Sequence, residues 1–319
     1  MLRKLLILIF VGLSGTVLAQ DPEFTQFYAN PLYLNPAFAG STRCPRISLN
    51  YRNQWPALSG TFVTYSASYD QYIDALGGGI GVLVLNDKAG EGTLTTSNIS
   101  AVYAYQLNVT REFSVRFGMQ GTYVQKKVDW DKLTFGDMID PRYGFIYETQ
   151  EIRPNTNKNF WDFSAGIMGY SSKFYGGVAV NHLTEPEEFY IKSADGSRLP
   201  MKFTVHAGAI LPIAGSRDGS MYVSPNFIYQ KQRDFNQYNI GFYISKAPLV
   251  GGLWYRGNDA FIALIGLQQG IFKFGYSYDV TVSSLSESST LGAHEISFGM
   301  QFECRPKKKR FRTISCPSF

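Results

Sequence analysis

The sequence predicts an all-β protein: a transmembrane barrel of the outer-membrane type, with about fourteen antiparallel strands, an N-terminal plug segment and a short basic C-terminal tail. Three observations predict it. Nearly every strand-like stretch between residues 45 and 303 alternates apolar and polar residues with period two. The connections between those stretches sort into compact ones and long ones, by turns. The composition is rich in rings and short of charge: 15% aromatic, with 21 Tyr and 24 Phe, and 17% charged, against about 25% charged in soluble domains.

Residues 1–19, MLRKLLILIFVGLSGTVLA, combine a basic start at Arg3 and Lys4, an apolar run from Leu5 to Val11 and small or apolar residues up to Ala19. This reads as a secretory signal peptide cleaved after Ala19. The run is interrupted at Gly12, Ser14 and Gly15 and falls short of the roughly 20 residues a spanning helix needs.

Residues 20–44 follow as an aromatic and proline-rich segment. Pro22, Pro31 and Pro36 forbid a continuous helix or a central strand, and Asn30 and Asn35, each preceding a proline, are pushed toward extended geometry. On the same side as both termini, the segment is expected to fold back into the periplasmic mouth, with Phe24, Phe27, Tyr28, Tyr33, Leu34 and Phe38 packed in or under the barrel.

The barrel spans 45–303, with strands expected near 45–55, 61–73, 78–86, 93–107, 112–128, 159–171, 173–181, 201–212, 219–231, 237–246, 249–256, 259–268, 270–280 and 291–303. In IFKFGYSYD, Phe272, Phe274, Tyr276 and Tyr278 share one face, and Lys273, Gly275, Ser277 and Asp279 the other. A soluble sandwich alternates too, but gives no reason for the long connections, 129–158 and 182–200 above all, to follow odd-numbered strands only. A lipid-exposed sheet cannot have free edges, so the first and last strands must pair. Tyr51, Trp55, Tyr69, Tyr72, Trp161, Tyr255 and Tyr278 suit interfacial girdles.

Residues 304–319 are read as a periplasmic tail in which Lys307, Lys308, Lys309, Arg310 and Arg312 concentrate much of the +5 net charge. The patch suits an acidic partner or anionic lipid heads, and no nucleic-acid motif accompanies it. Cys44, Cys304 and Cys316 allow one disulfide. Cys304 with Cys316 closes the shorter loop and is the expected pair; Cys44 with Cys304 is the runner-up, since those residues flank neighbouring strands of a closed barrel.

Signs of chemistry are weak. Ser59, His206 and Asp137 could furnish a hydrolytic triad, but no G-x-S-x-G accompanies them. Gly77–Gly81 lack the Gly-Lys-Ser/Thr of a phosphate loop and read as a tight turn entering a strand. Asn86, Asp87, Gly90 and Gly92 lack the spacing of a calcium loop, and Glu185, Glu187, Glu188, Asp137 and Asp140 read as solvated loop charge. His294 and Glu295 fall on opposite faces of a strand, with Glu295 expected to meet an arginine such as Arg52 or Arg116 in the lumen. No catalytic residue, metal or cofactor is expected.

QDPEFTQFYANPLYLNPAFAG, RISLNYRNQWPAL, TYSASYD, GGGIGVLVLNDKAGEGTLTT, YAYQL, KLTFGD, GYSYDVTVSSL, GAHEISF and the Cys-Pro-x-Phe ending, in that order, resemble the PorP/SprF family of type IX secretion system membrane proteins. The resemblance implies an outer-membrane barrel of Bacteroidota-type bacteria, without enzymatic activity, that supports secretion or surface anchoring of cargo. Such cargo includes gliding adhesins with a type B C-terminal sorting domain. It implies as partners that cargo and, on the periplasmic face, an OmpA-like peptidoglycan-binding protein or other secretion-system subunits. The long connections are too long for mere turns, and Trp130, Phe135, Phe145, Tyr147, Phe189 and Tyr190 are the expected aromatic anchors for cargo. The alternative is a porin-like or hydrophobic-solute transport barrel.

Overall fold

In the computed structural model, residues 21–58, 60–151, 155–188, 198–213, 221–282 and 291–303 are described. Fourteen strands close into one antiparallel barrel. They are β1 Arg46–Gln54, β2 Phe62–Ile73, β3 Gly78–Ala89, β4 Leu94–Asn108, β5 Ser114–Val128, β6 Asn157–Tyr170, β7 Phe174–Asn181 and β8 Lys202–Ala209, followed by β9 Met221–Gln232, β10 Phe235–Lys246, β11 Leu249–Arg256, β12 Ala260–Gln269, β13 Phe272–Thr281 and β14 Ala293–Gln301. Each expected strand is present. A two-residue stretch, Leu211–Pro212, prolongs β8 along β9.

Closure rests on β1 pairing with β14, from Arg46 opposite Gln301 to Gln54 opposite Ala293. No strand of the ring is left with a free edge, as hydrocarbon requires. Because a one-residue slip would turn every side chain to the other face, the alternation also fixes the register. On β1, Arg46, Ser48, Asn50 and Arg52 point inward and are buried, while Leu49 is exposed. On β13, Lys273, Ser277 and Asp279 are buried and Phe272 and Phe274 exposed. Across the ring the exposed side chains include Val84, Ile99, Tyr103, Phe117, Met119, Ile265 and Ile296. So wide an apolar surface suits lipid and not water.

The rim where β1 begins is called proximal here, and the rim where it ends distal. Connections 129–156 and 182–201 both lie on the distal rim, which also carries the tight turns at 90–93, 233–234 and 257–259. Near this rim, rings pair directly across strands: Tyr51 with Tyr65 at 5.2 Å between centroids, Tyr123 with Trp161 at 5.3 Å and Tyr255 with Phe261 at 5.0 Å. Such a band is the girdle of an interface. Trp55 differs from the expectation, since it lines the interior at the distal end.

β11 and β12 depart from a polar lumen. They expose Leu253, Phe261 and Ile265 outward, yet bury Trp254, Ile262 and Leu264 inward. The reason is what faces them: the Phe27 ring lies 4.9 Å from that of Trp254, within a cluster that also holds Tyr28, Leu34, Phe38, Met168, Ile228 and Tyr243. A buried ring contributes about 2 kcal/mol.

Candidate functional site

Residues 21–44 supply that inner cluster. They form three short helical turns, Phe27–Ala29, Pro31–Leu34 and Pro36–Phe38, the last two started by a proline at the first position, where a missing N–H costs nothing. Asn35 is extended, and its Oδ1 accepts from the Ala37 N–H at 2.8 Å. Asn30 and Asn35 thus break what would otherwise be one helix.

The wall grips this segment through its main chain. Near the proximal rim, the Gly40 N–H donates to Asp70 Oδ2 at 2.7 Å, and Asp70 is paired with Arg46 at 2.9 Å. Arg116, fully buried on β5, donates to the carbonyls of Ala37 (3.0 Å), Gly40 (3.4 Å) and Ala39, and to Gln106. Asn35 Nδ2 reaches the Val178 carbonyl at 3.3 Å and His206 Nε2 at 3.1 Å, and Asn30 donates to Ser66 at 2.9 Å. Higher up, Glu295 accepts from the N–H groups of Thr25 (2.6 Å) and Gln26 (3.2 Å), and Ser297 donates to Gln26 Oε1 at 2.5 Å. Glu295 also meets Arg52 at 3.6 Å, as expected, whereas Arg116 takes the carbonyls instead.

Close approach needs strand positions without a side chain. A Cβ at Gly79 would sit 2.0 Å from the Ala39 carbonyl oxygen, and one at Gly118 2.3 Å from the Ala37 nitrogen. In GGGIG the turn is Gly77, in the left-handed region at φ +60°; Gly79 lies in β3, cleared for another backbone. Gly79→Val is expected to expel the segment at a cost of about 3 kcal/mol while the ring survives. Limited proteolysis of the folded barrel, with cleavage mapped to residues 21–44, checks it.

The segment does not stop at the proximal mouth, as expected, but threads the lumen. Asp21 lies in its distal half, beside residues at the distal ends of three strands: His182 just beyond β7, Lys202 opening β8 and Gln232 closing β9. His182 Nε2 lies 2.8 Å from Asp21 Oδ2, and Nδ1 2.8 Å from Asp162 Oδ2. Burial alone would depress its pKa, but the charge of Asp21 and hydrogen bonds to both carboxylates raise it to about 10. Burial would raise the pKa of Asp21, but the adjoining His182 charge and hydrogen bond, with Lys202 and Lys126, hold it far below the ordinary range.

The sign of the pH dependence follows. The His182 contribution is whole below its ordinary value of 6.5 and is lost as pH rises toward about 10. That of Asp21 is present above its ordinary 3.8 and is lost as pH falls below it. Hydrogen-exchange protection of residues 23–27 is expected to decline between about pH 6.5 and 10. His182→Asn should flatten that decline and cost about 3 kcal/mol.

Above the segment, open toward the distal rim, is a cavity of about 920 Å³. Its floor is Asp21, Pro22, Glu23, Phe24, Phe27 and Tyr33. Its wall is largely neutral: Thr96, Ser100, Gln120, Thr122, Thr204 and Gln230 among others, with Leu83, Leu85, Val124, Phe160 and Trp55 between them.

Of the residues singled out from sequence, Phe24, Phe27, Tyr28, Leu34 and Phe38 are buried in the lumen and Tyr33 half-buried, its ring 5.2 Å from that of Phe24. On the distal connection 129–156, Trp130 and Phe135 pack on each other at 4.8 Å, while Phe145 and Tyr147 are exposed. Phe189, Tyr190, the patch Lys307, Lys308, Lys309, Arg310 and Arg312, and Cys304 and Cys316 lie outside the described residues. Cys44 is disulfide-bonded; with three cysteines in the chain, this corrects the expected Cys304 to Cys316 pair and turns the choice toward a bridge from Cys44.

His206 faces Phe38 in the lumen and Asp137 caps a distal hairpin, so they form no catalytic pair. Glu188 pairs with Lys126, apart from Asp137 and Asp140. Among the described residues no cluster suited to a metal ion occurs.

The fold is similar to that of the Acinetobacter baumannii outer membrane protein Omp33, at 9% identity over 82% of this chain and 100% of that one, with a TM-score of 0.46. It is also similar to the P. putida toluene transporter TodX, at 9% identity over 85% and 93%, with a TM-score of 0.47, and to the Ralstonia pickettii toluene transporter TbuX, at 10% over 85% and 93%, with a TM-score of 0.46. At such scores the likenesses carry no functional weight. Comparison with curated proteins finds no match. Residues 16–300 match the family described as type IX secretion system membrane protein PorP/SprF, and the chain belongs to that family.

Proposed function

We propose that the protein is an outer-membrane holder for a secreted surface protein: a barrel whose lower lumen is filled by its own amino-terminal segment and whose distal connections face the outside and grip the partner. On this reading the proximal rim is periplasmic. There the basic tail, Lys307, Lys308, Lys309, Arg310 and Arg312, meets secretion-system subunits or an OmpA-like wall-binding protein. The partner is cargo with a type B C-terminal sorting domain.

The observation that carries the reading is the occupied lumen. A porin needs a continuous watery path, whereas residues 21–40 are bonded by inward side chains of β1, β2, β5, β8, β13 and β14 and by main-chain carbonyls of β6 and β7. The distal hairpin adds support. Ile139–Asp140 pairs with Gly144–Phe145, Asp140 accepts from the N–H groups of Arg142 (2.7 Å) and Tyr143 (2.9 Å), and Asp137 accepts from Thr149 and Gln150. Those bonds stiffen a tip that presents Tyr143, Phe145, Ile146 and Tyr147 to solvent. Pre-ordered aromatic side chains lose little entropy on docking.

The experiment is recovery of partners from solubilised outer membrane with wild type and with F145A/Y147A. Wild type is expected to bring down a secreted surface protein, and the double variant less than a tenth as much. Equal recovery by both would set the hairpin aside.

A further inference from the structure

The lower lumen binds a polypeptide by reading its main chain, and the upper lumen has a wall of hydroxyls and amides against which no described segment of the chain is packed. Glu295 and Asp70 take N–H groups and Arg116 takes carbonyls from residues 25–40. In the upper half, Ser100, Thr122 and Gln120 bond one another at 2.9 to 3.2 Å. They lie close to leucine, valine and aromatic side chains. Hydroxyls and amides both donate and accept, which matches a main chain offering both groups along its length. Apolar patches between them match its side chains, and about 920 Å³ lies within the range of sites that enclose a ligand.

Charge narrows the class. Five cations line the cup, and each is matched to carboxylates: Arg52 to Asp279 and Glu295, Lys126 to Glu188, His182 to Asp21 and Asp162, Lys202 to Asp21, and Arg256 to Asp259 and Asp279. A phosphate or sulfate would have to break such pairs and shed its own water. The geometry points to an extended polypeptide segment without acidic side chains as the ligand of this cup, inserted from the distal mouth by the secreted partner and resting on Phe24 and Tyr33. The inference rests on the holder function proposed above, and adds that the partner is held inside the barrel as well as on its rim.

The test fills the cup. T96W/T204W places two indoles on the wall, and heat-dependent mobility on gels verifies that the barrel is folded. Partner displayed on intact cells is expected to fall at least tenfold. In detergent, wild type incubated with random N-acetylated, C-amidated octapeptides lacking charged residues should retain related sequences at least tenfold over T96W/T204W. Should the indoles prevent folding, T96C/T204C labelled with a bulky maleimide after folding carries the same comparison.

Undiminished display from a filled cup overturns the inference, and so does equal peptide retention by both barrels. Saturable quenching of tryptophan emission by maltohexaose, with peptides silent, would make the cup a sugar site instead. Display lost on shortening the distal connections but kept with a filled cup leaves the holder function standing; display kept in both experiments removes that function itself.

Discussion

Deleting residues 21–38 is expected to turn a closed barrel into a steadily conducting pore. The ladder from β1 to β14 does not use these residues, so the ring can persist. What is lost lies inside: Phe27, Tyr28 and Phe38 leave Trp254, Ile228 and Met168 facing water, Arg116 loses the Ala37 carbonyl, Glu295 the N–H groups of Thr25 and Gln26, and His206 the Asn35 amide. Each orphaned group costs about 1–3 kcal/mol where water cannot replace the partner. Here it can, since the emptied lumen floods. Planar-bilayer recordings of both proteins are the measurement. Wild type should pass little current and the deletion a large, stable one; large equal conductance in both would favour the porin or solute-transport alternative and end the plug reading.

Shortening the two long distal connections is expected to abolish surface display of the partner, by at least tenfold on intact cells. Residues 133–151 and 186–198 can be replaced by tight turns without touching the strand ladders, His182 or Asp162, since Thr184 and Glu185, which bond Asp162 and His182, are kept. The barrel should keep its folded gel mobility while losing Phe135, Phe145 and Tyr147, together with Phe189 and Tyr190. Interfaces concentrate their energy in a few aromatic anchors, so removing the rim should cost nearly all the binding that depends on it. Undiminished display would mean that the partner is held elsewhere.

The ring was legible in the sequence because lipid imposes one rule on every strand. Phe272, Phe274 and Tyr276 against Lys273 and Ser277 could be read as outside against inside without any other knowledge. The interior obeys no such uniform rule. Trp254 and Ile262 point inward because Phe27 waits there, a pairing more than two hundred residues apart in sequence. The thread's path had a trace that went unread: glycines at inward positions, Gly79, Gly118 and Gly166, where a polar side chain would be ordinary. His182 carried no motif at all. Its significance comes from Asp21 and Asp162 arriving on either side, and only tertiary structure supplies that.

The thread also ties the seam. Thr25 and Gln26 bond to Glu295 and Ser297 on β14, while Arg52 on β1 donates to Thr25 Oγ1 at 3.2 Å, so the threaded segment stitches the first strand to the last. Thr25 and Gln26 therefore find their anchors only when synthesis has reached Glu295 and the ring can shut. A chain cut short before β14 leaves Thr25 and Gln26 unsecured and within reach of proteases, and a finished one buries them. Completion of the polypeptide thus becomes a property that the cell can inspect at its opposite end.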